Sequence, residues 1–163
     1  MRVCKTITIP GNTSLTGLYA EKVGNYPKFF KMDTLSKLGF LATELLLEGE
    51  ADRFISREDR AVLLFSRSGS VCDDSHFAKS MEDYPSPSLF VYTLPNIVAG
   101  EIAIRNNYRG ETSAFVLEQY DKERIRHVVE EAFQDRTTRS AIVGWVDVRS
   151  DTDWTCEVSL IEK

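Results

Sequence analysis

Ser86-Pro87-Ser88-Leu89-Phe90-Val91-Tyr92-Thr93-Leu94-Pro95-Asn96-Ile97-Val98-Ala99-Gly100-Glu101-Ile102-Ala103-Ile104-Arg105 is the run from which the rest of this chain is most readily organised. Its approach, Tyr84-Pro85-Ser86-Pro87-Ser88, predicts a rigid extended connection, because each proline fixes its own φ and pushes the residue before it away from the helical region. From Thr93-Leu94-Pro95-Asn96 onward the pattern becomes helical through Ile97, Ala99, Gly100, Ile102 and Ala103, with Pro95 suited to a first turn. Gly100 inside that pattern costs about 1 kcal/mol relative to alanine, which predicts a packing reason such as the close approach of another backbone. Tyr108-Arg109-Gly110 ends the segment. Thr112 to Glu118 then reads as a buried strand, and Asp121 opens an amphipathic helix. Ile125, Val128, Val129, Ala132 and Phe133 form its apolar stripe, with Lys122, Glu123, Arg126, Glu130 and Glu131 over the remainder.

Working outward, Val3, Ile7 and Ile9 mark a first strand that turns at Pro10-Gly11-Asn12. Asp33 is an N-cap for a helix through Leu35, Leu38, Leu41, Ala42 and Leu45, with Gly49 as the stop signal. Ala61-Val62-Leu63-Leu64-Phe65 predicts a strand buried on both faces, followed by a Ser68-Gly69-Ser70 loop and a short helix from His76 to Met81. Ala141 to Val148 and Thr155 to Ile161 predict two closing strands joined by Arg149-Ser150-Asp151-Thr152-Asp153. In the last strand Cys156, Val158 and Leu160 alternate with Glu157 and Ser159, as in an edge strand or one with a wet face. Trp145 reads as core and Trp154 as a surface contact. The order β-α-β-α-(α)-β-α-β-β implies a mostly parallel sheet covered on both faces, with an antiparallel hairpin at its end.

Composition narrows the function. A chain of 163 residues suits one domain, 1–163. The net charge of −5 argues against a nucleic-acid partner, since acids lie beside each arginine pair (Arg57 and Arg60, Arg124 and Arg126, Arg136 and Arg139). No apolar run spans a bilayer, and the N-terminus lacks a signal-peptide pattern, so a cytoplasmic protein with no membrane partner is expected. Cys4, Cys72 and Cys156 read as free thiols, and the two histidines leave little material for a metal centre; no cofactor is expected. Cys72 and His76, four apart, are the alternative thiol–imidazole pair for acyl transfer. Asp73 and Asp74 between them would raise a thiol's pKa, which favours a surface thiol beside an unrelated histidine.

The Ser86–Arg105 run with Tyr108-Arg109-Gly110 resembles the S-P-x-x-F-x-x-T-x-x-N-x-x-A-G…I-R…R-G-P block that precedes the nucleophile strand of β-ketoacyl-[acyl carrier protein] synthases, members of the thiolase-like superfamily. Lys31-Met32-Asp33 and its helix resemble that family's R-M-D helix. The resemblance covers essentially the whole chain but only the N-terminal half of the family's fold. It implies half of a thiolase-like α/β protein: a three-layer α/β/α sandwich with a five-stranded mixed sheet in the order 3-2-1-4-5, its last strand antiparallel. The same distance from Gly110 that reaches the family's catalytic cysteine reaches Gln119 here, preceded by Glu118, and this Glu-Gln pair is similar to that of polyketide chain-length factors.

A glutamine amide neither ionises nor attacks a thioester, and the family's histidines belong to its other half. Where the family has small residues after the cysteine, this chain has Gln119-Tyr120-Asp121-Lys122 and a charged helix face that is costly to bury, so that helix is expected to be exposed. Glu111 also replaces the proline that follows R-G. The resemblance thus implies a non-catalytic, structural or partner subunit of fatty-acid- or polyketide-type biosynthesis, including the aryl-polyene kind. Its partners would be an active ketosynthase or an acyl carrier protein. In the family the third strand pairs with its mate across a two-fold axis, so Thr112, Ala114, Val116 and Glu118 are the expected edge of a homo- or heterodimer. The competing readings are an acyl-transfer enzyme using Cys72 and a self-contained homodimeric binding protein.

Overall fold

The computed structural model describes residues 1–163. Its elements are β1 (Arg2–Thr8), α1 (Leu15–Lys22), a 3₁₀ turn at Pro27–Lys31, α2 (Thr34–Leu46), β2 (Arg60–Ser66), α3 (Val71–Ser80), α4 (Pro87–Tyr92), α5 (Ile97–Asn106), β3 (Thr112–Val116), α6 (Lys122–Ala132), β4 (Ser140–Ser150) and β5 (Asp153–Glu162). The five strands form one mixed sheet in the order β1-β5-β4-β2-β3. β2 is parallel to both β3 and β4, whereas β5 runs antiparallel to β4 and β1.

This order corrects the expected 3-2-1-4-5. β3 is an edge next to β2, as expected, but β1 lies at the opposite edge and β4 takes the place beside β2. Burial explains the exchange. A central strand of a parallel sheet is covered on both faces and must be apolar on both. β4 meets that demand from Ser140 through Val148, where only Trp145 is not fully buried. β1, with Arg2, Lys5 and an exposed Val3, does not. β5 is interior with a wet face: Trp154, Cys156 and Val158 are buried, Thr155 and Glu157 exposed.

The alternation of β2 supplies two cores. Val62 and Leu64 meet Leu38, Leu41, Val98, Ile102, Ile142 and Val158 beneath α2 and α5. Ala61, Leu63 and Phe65 meet Val129, Ala132, Phe133, Ala141 and Val143 beneath α6. The sandwich is therefore uneven, since α6 alone builds the second helical layer. Beside it an open apolar groove of about 460 Å³ runs over the sheet, lined by Val3, Tyr120, Ile125, Trp145 and Ile161 among others. The two tryptophans exchange their expected roles. Trp154 is buried and its Nε1–H donates to the Ile9 carbonyl at 3.3 Å, while half-buried Trp145 lines the groove, its ring 5.4 Å from that of Tyr120.

Several local readings change. Tyr84–Ser88 is not extended throughout, because the Ser86 hydroxyl caps α4, with Pro87 in its first turn. Pro95 precedes Asn96, the N-cap of α5, and so lies outside that helix. α3 starts at Val71, five residues before the expected His76, and α1 and the 3₁₀ turn have no counterpart in the sequence reading. Asp33 caps α2 by accepting from Ser36 N–H at 2.9 Å, and Gly49 beyond it has φ +84°.

Gly100 has open space around it rather than a close backbone. The close approaches are elsewhere. A Cβ on Gly110 would lie 2.6 Å from the Glu58 carbonyl oxygen and 2.7 Å from that of Arg60, and one on Gly39 would lie 2.4 Å from Val98 Cγ2. Gly110 thus lets the chain pass the start of β2 and enter β3 in register, and Gly39 lets α2 meet α5. Arg105, at the end of the quoted run, reaches the buried Glu44 of α2 through Nε at 3.1 Å and Nη2 at 3.2 Å; Arg53 binds the same carboxylate. The Arg105 guanidinium lies 4.8 Å from the ring centres of both Tyr26 and Phe54, a pair of cation–π contacts. Urea denaturation should separate the glycines. Gly100→Ala raises stability by about 1 kcal/mol by removing helix-interior glycine, whereas Gly110→Ala lowers it by about 1–3 kcal/mol because backbone must move to admit the methyl group.

Candidate functional site

Two places at the C-terminal end of the parallel strands carry the polar residues singled out in the sequence. The first is the exit of β3. Leu117 N–H donates to the Ser66 carbonyl at 2.8 Å, after which the chain bends through Glu118 and Gln119, both exposed. Glu118 therefore lies just beyond the edge strand in which it was expected. Thr112, Ala114 and Val116 do lie in that strand, but it is not the buried strand expected: as the sheet edge it has exposed ends at Thr112 and Val116 and only half-buried residues between. The Glu111 carbonyl and the Leu117 N–H face β2. By the two-residue period of a strand, the backbone groups of Thr112, Ala114 and Val116 then face the open side.

Gln119 is not at the helix start. Asp121 is the N-cap of α6, its Oδ1 accepting from Arg124 N–H at 3.0 Å, and Lys122 is the first helical residue. The positive end of the helix dipole is therefore already occupied by a carboxylate. Gln119 sits two residues outside it, in a shallow cleft of about 290 Å³ shared with Leu117, Glu118, Asp121 and Arg124. No thiol, hydroxyl or imidazole lines that cleft. The outer face of α6 is exposed, as expected, with Arg126 bridging Glu123 at 3.0 Å and Glu130 at 2.7 Å.

The second place is a small polar pocket between α3, the N-terminus of α2 and the β4–β5 turn, lined by Asp33, Thr34, Ser70, Cys72, Asp73, His76 and Asp151 among others. α3 puts Cys72 and His76 on one face, as their spacing predicts. The turn adds Asp151: its Oδ2 is 3.1 Å from His76 Nε2, its Oδ1 accepts from the Thr34 hydroxyl at 2.6 Å, and Cys72 Sγ stands 3.9 Å from Oδ1. The ligating atoms of Cys72, His76 and Asp151 all lie within 4.8 Å of one another, a donor set that could hold a metal ion. Gln119 and this trio line separate clefts.

Burial pushes the Cys72 thiol above its ordinary value, and the carboxylates of Asp151, Asp33 and Asp73 push it further. Asp73, buried and near Asp33, is raised to about 6, and burial also raises Asp33. A protonated thiol in a field of carboxylates is the opposite of an activated nucleophile. Cys156 is buried beneath the sheet and raised to about 12. Sequence reasoning missed Asp151, Ser70 and the second role of Asp33. Asp151 is 79 residues from Cys72, and its turn residue type carries no signal of where it lands.

No family model matches the chain, and no curated protein is detectably similar to it. Solved structures are. The chain superimposes on the ishigamide ketosynthase/chain length factor with a TM-score of 0.71 at 19% identity, over 88% of this chain and 47% of that one. Its fold is the ketosynthase/chain-length-factor fold. A second neighbour is a chain of the ketosynthase ApeO in complex with its chain length factor ApeC from Xenorhabdus doucetiae, with a TM-score of 0.68 at 11% identity over 99% of this chain and 78% of that one. The chain spans about half the length of the ishigamide protein. No helix of this ketosynthase-like fold is long and apolar enough to cross a membrane.

Thiol chemistry tests the site as described. With iodoacetamide at a pH of about 7.5, below the ordinary thiol range, intact-mass measurement should show exposed Cys4 modified first, Cys72 slowly and Cys156 only after denaturation. In Gln119→Cys the introduced thiol should react no faster than Cys4, because Asp121 already holds the helix end. A thiolate at position 119 of that variant persisting well below the ordinary thiol range would contradict this.

Proposed function

We propose that this chain is a non-catalytic ketosynthase-like subunit that binds an active ketosynthase in fatty-acid- or polyketide-type biosynthesis, the aryl-polyene kind included. The observation that carries the reading is the exit of β3. The sequence resemblance makes Gln119 the counterpart of the nucleophile, and Gln119 stands in an exposed bend ahead of a helix end capped by Asp121. A glutamine amide offers no attacking atom for acyl transfer, and Asp121 leaves no free helix N-terminus that would activate one. The raised thiol of Cys72 argues in the same way against an acyl-transfer enzyme built on that residue.

The partner reading rests on the sheet edge. β3 pairs only with β2, and its open side carries the backbone groups of Thr112, Ala114 and Val116 beside an exposed Val116 side chain. A bare edge of this kind is a template for strand pairing. Both neighbours are ketosynthase/chain-length-factor proteins, which favours a ketosynthase over a second copy of this chain as the occupant. The three unpaired cysteines suit the reducing cytoplasm in which such a complex would work.

Co-purification from the native cell tests the proposal. A ketosynthase should accompany the tagged chain, and Ala114→Pro should abolish its recovery with the monomer still folded by circular dichroism, because the lost N–H faces outward. Recovery of only this chain as a dimer would replace the heteromeric reading with the homodimeric one. A stable acyl adduct after incubation with an acyl thioester, lost in Cys72→Ser, would overturn the non-catalytic reading.

A further inference from the structure

The pocket at the head of α3 has a composition that neither catalysis nor assembly uses. Cys72, His76 and Asp151 bring one sulfur, one imidazole nitrogen and one carboxylate to within 4.8 Å of one another. Two further polar groups stand in the same pocket without hydrogen-bond partners: Asp73 Oδ2, on a residue 3% exposed, and Ser70 Oγ, on a residue 5% exposed. A buried carboxylate oxygen without a donor is costly, and buried anions are ordinarily paired or bound to a metal. Asp33, Asp73 and Asp151 all line this pocket, whereas neither lysine nor arginine does. His76 is the only group there that can become cationic. The cavity has a volume of about 10 Å³, room for a single water or ion.

We infer that this pocket is a binding site for one divalent transition-metal ion of the zinc type, with Cys72 Sγ, His76 Nε2 and Asp151 as protein ligands and Asp73 as the buried carboxylate beside them. Sulfur, imidazole and carboxylate together are the ligand chemistry of Zn²⁺ rather than of the oxygen-preferring Ca²⁺ or Mg²⁺. The i, i+4 spacing on α3 places two ligands on one helix face, and Asp151 arrives from the β4–β5 turn, already oriented by the Thr34 hydroxyl. Binding takes the thiol proton of Cys72 to solvent and forms the metal–thiolate bond, so the carboxylate field that makes Cys72 a poor nucleophile becomes part of the charge that neutralises the ion. The ion would tie α3 to the β4–β5 turn and the start of α2, three segments joined at this point by the polar contacts to Asp151. This inference is independent of the ketosynthase partner, and its test uses the isolated full chain.

Co²⁺ serves as the spectroscopic probe. Titration of the chelator-treated protein should saturate at one equivalent, with a sulfur-to-cobalt charge-transfer band in the near ultraviolet, and Zn²⁺ should displace it and raise the unfolding temperature. Cys72→Ser should abolish the charge-transfer band, and His76→Ala and Asp151→Asn should each weaken affinity tenfold or more; Cys4→Ser should change nothing. Near-ultraviolet circular dichroism establishes that the metal-free variants remain folded. Absence of saturable binding at micromolar Co²⁺, or a band that survives in Cys72→Ser and disappears in Cys4→Ser, overturns the assignment.

Discussion

β2 has no face to give to water. Each residue from Arg60 to Ser66 is buried, and the side chains of this one strand divide between two cores. A strand of that kind needs parallel neighbours on both sides and a helical layer on each face. β4 supplies the neighbour toward the centre, because it too is buried almost throughout, and β3 supplies the other. β1 is then left for the far edge, where its polar residues meet solvent. The entry of β3 beside β2 depends in turn on Gly110, where a Cβ would collide with the carbonyls of Glu58 and Arg60. The Arg-Gly pair that gives the sequence its resemblance to ketosynthases therefore has a steric meaning in this structure: it is where the connection from α5 crosses the root of the central strand.

That architecture gathers the ends of β2, β3 and β4 on one side of the sheet, and both polar sites lie there. It does so without merging them. At the end of β3 the chain leaves the ladder at Leu117 and caps α6 with Asp121, so Gln119 stays in the open bend. At the end of β4 the turn brings Asp151 back over α3 and Thr34. The first site is plain solvent-facing polarity. The second is crowded and acidic in a way that a surface loop has no need to be.

The layers, the helices with strong apolar periodicity and the wholly buried β2 were legible in the sequence, because burial on one or two faces writes itself into residue order, whereas the apolar run of β3 suggested burial that an edge strand does not have. Asp33 and Asp121 announced their helices for the same local reason. The strand order was not legible. It depends on which of two strands, β1 or β4, tolerates solvent, and the notion of β1 as central came from the resemblance rather than from its own Arg2 and Lys5. The roles of the tryptophans failed likewise. Asp153 and Thr155 flank Trp154 on a strand with one wet face, so polar sequence neighbours say nothing about the face on which the indole lies. Gly39 and Gly110 were silent because close approach is a property of two segments, and Gly100 was conspicuous only because it interrupts a helix. The pairing of Cys72 with His76 was visible as spacing, yet the partner that gives it chemical sense, Asp151, is a long-range product of the β4–β5 turn.

The charge distribution separates the two readings of Cys72 more sharply than sequence could. Asp73 and Asp74 alone would disfavour a thiolate, and the fold adds Asp33 and Asp151 to the same field. Carboxylates gathered around a nucleophile would be self-defeating, since they hold it protonated. Around a dication they are complementary, since each carboxylate that repels a thiolate attracts the ion that would deprotonate it. The fold leaves Asp73 Oδ2 without a donor while Arg53 and Arg105 converge on Glu44 elsewhere, so the chain is capable of satisfying a buried carboxylate with arginine and does not do so here. An anion left unpaired beside a thiol, an imidazole and a second carboxylate is better accounted for by a cation from solution than by a lost catalytic function.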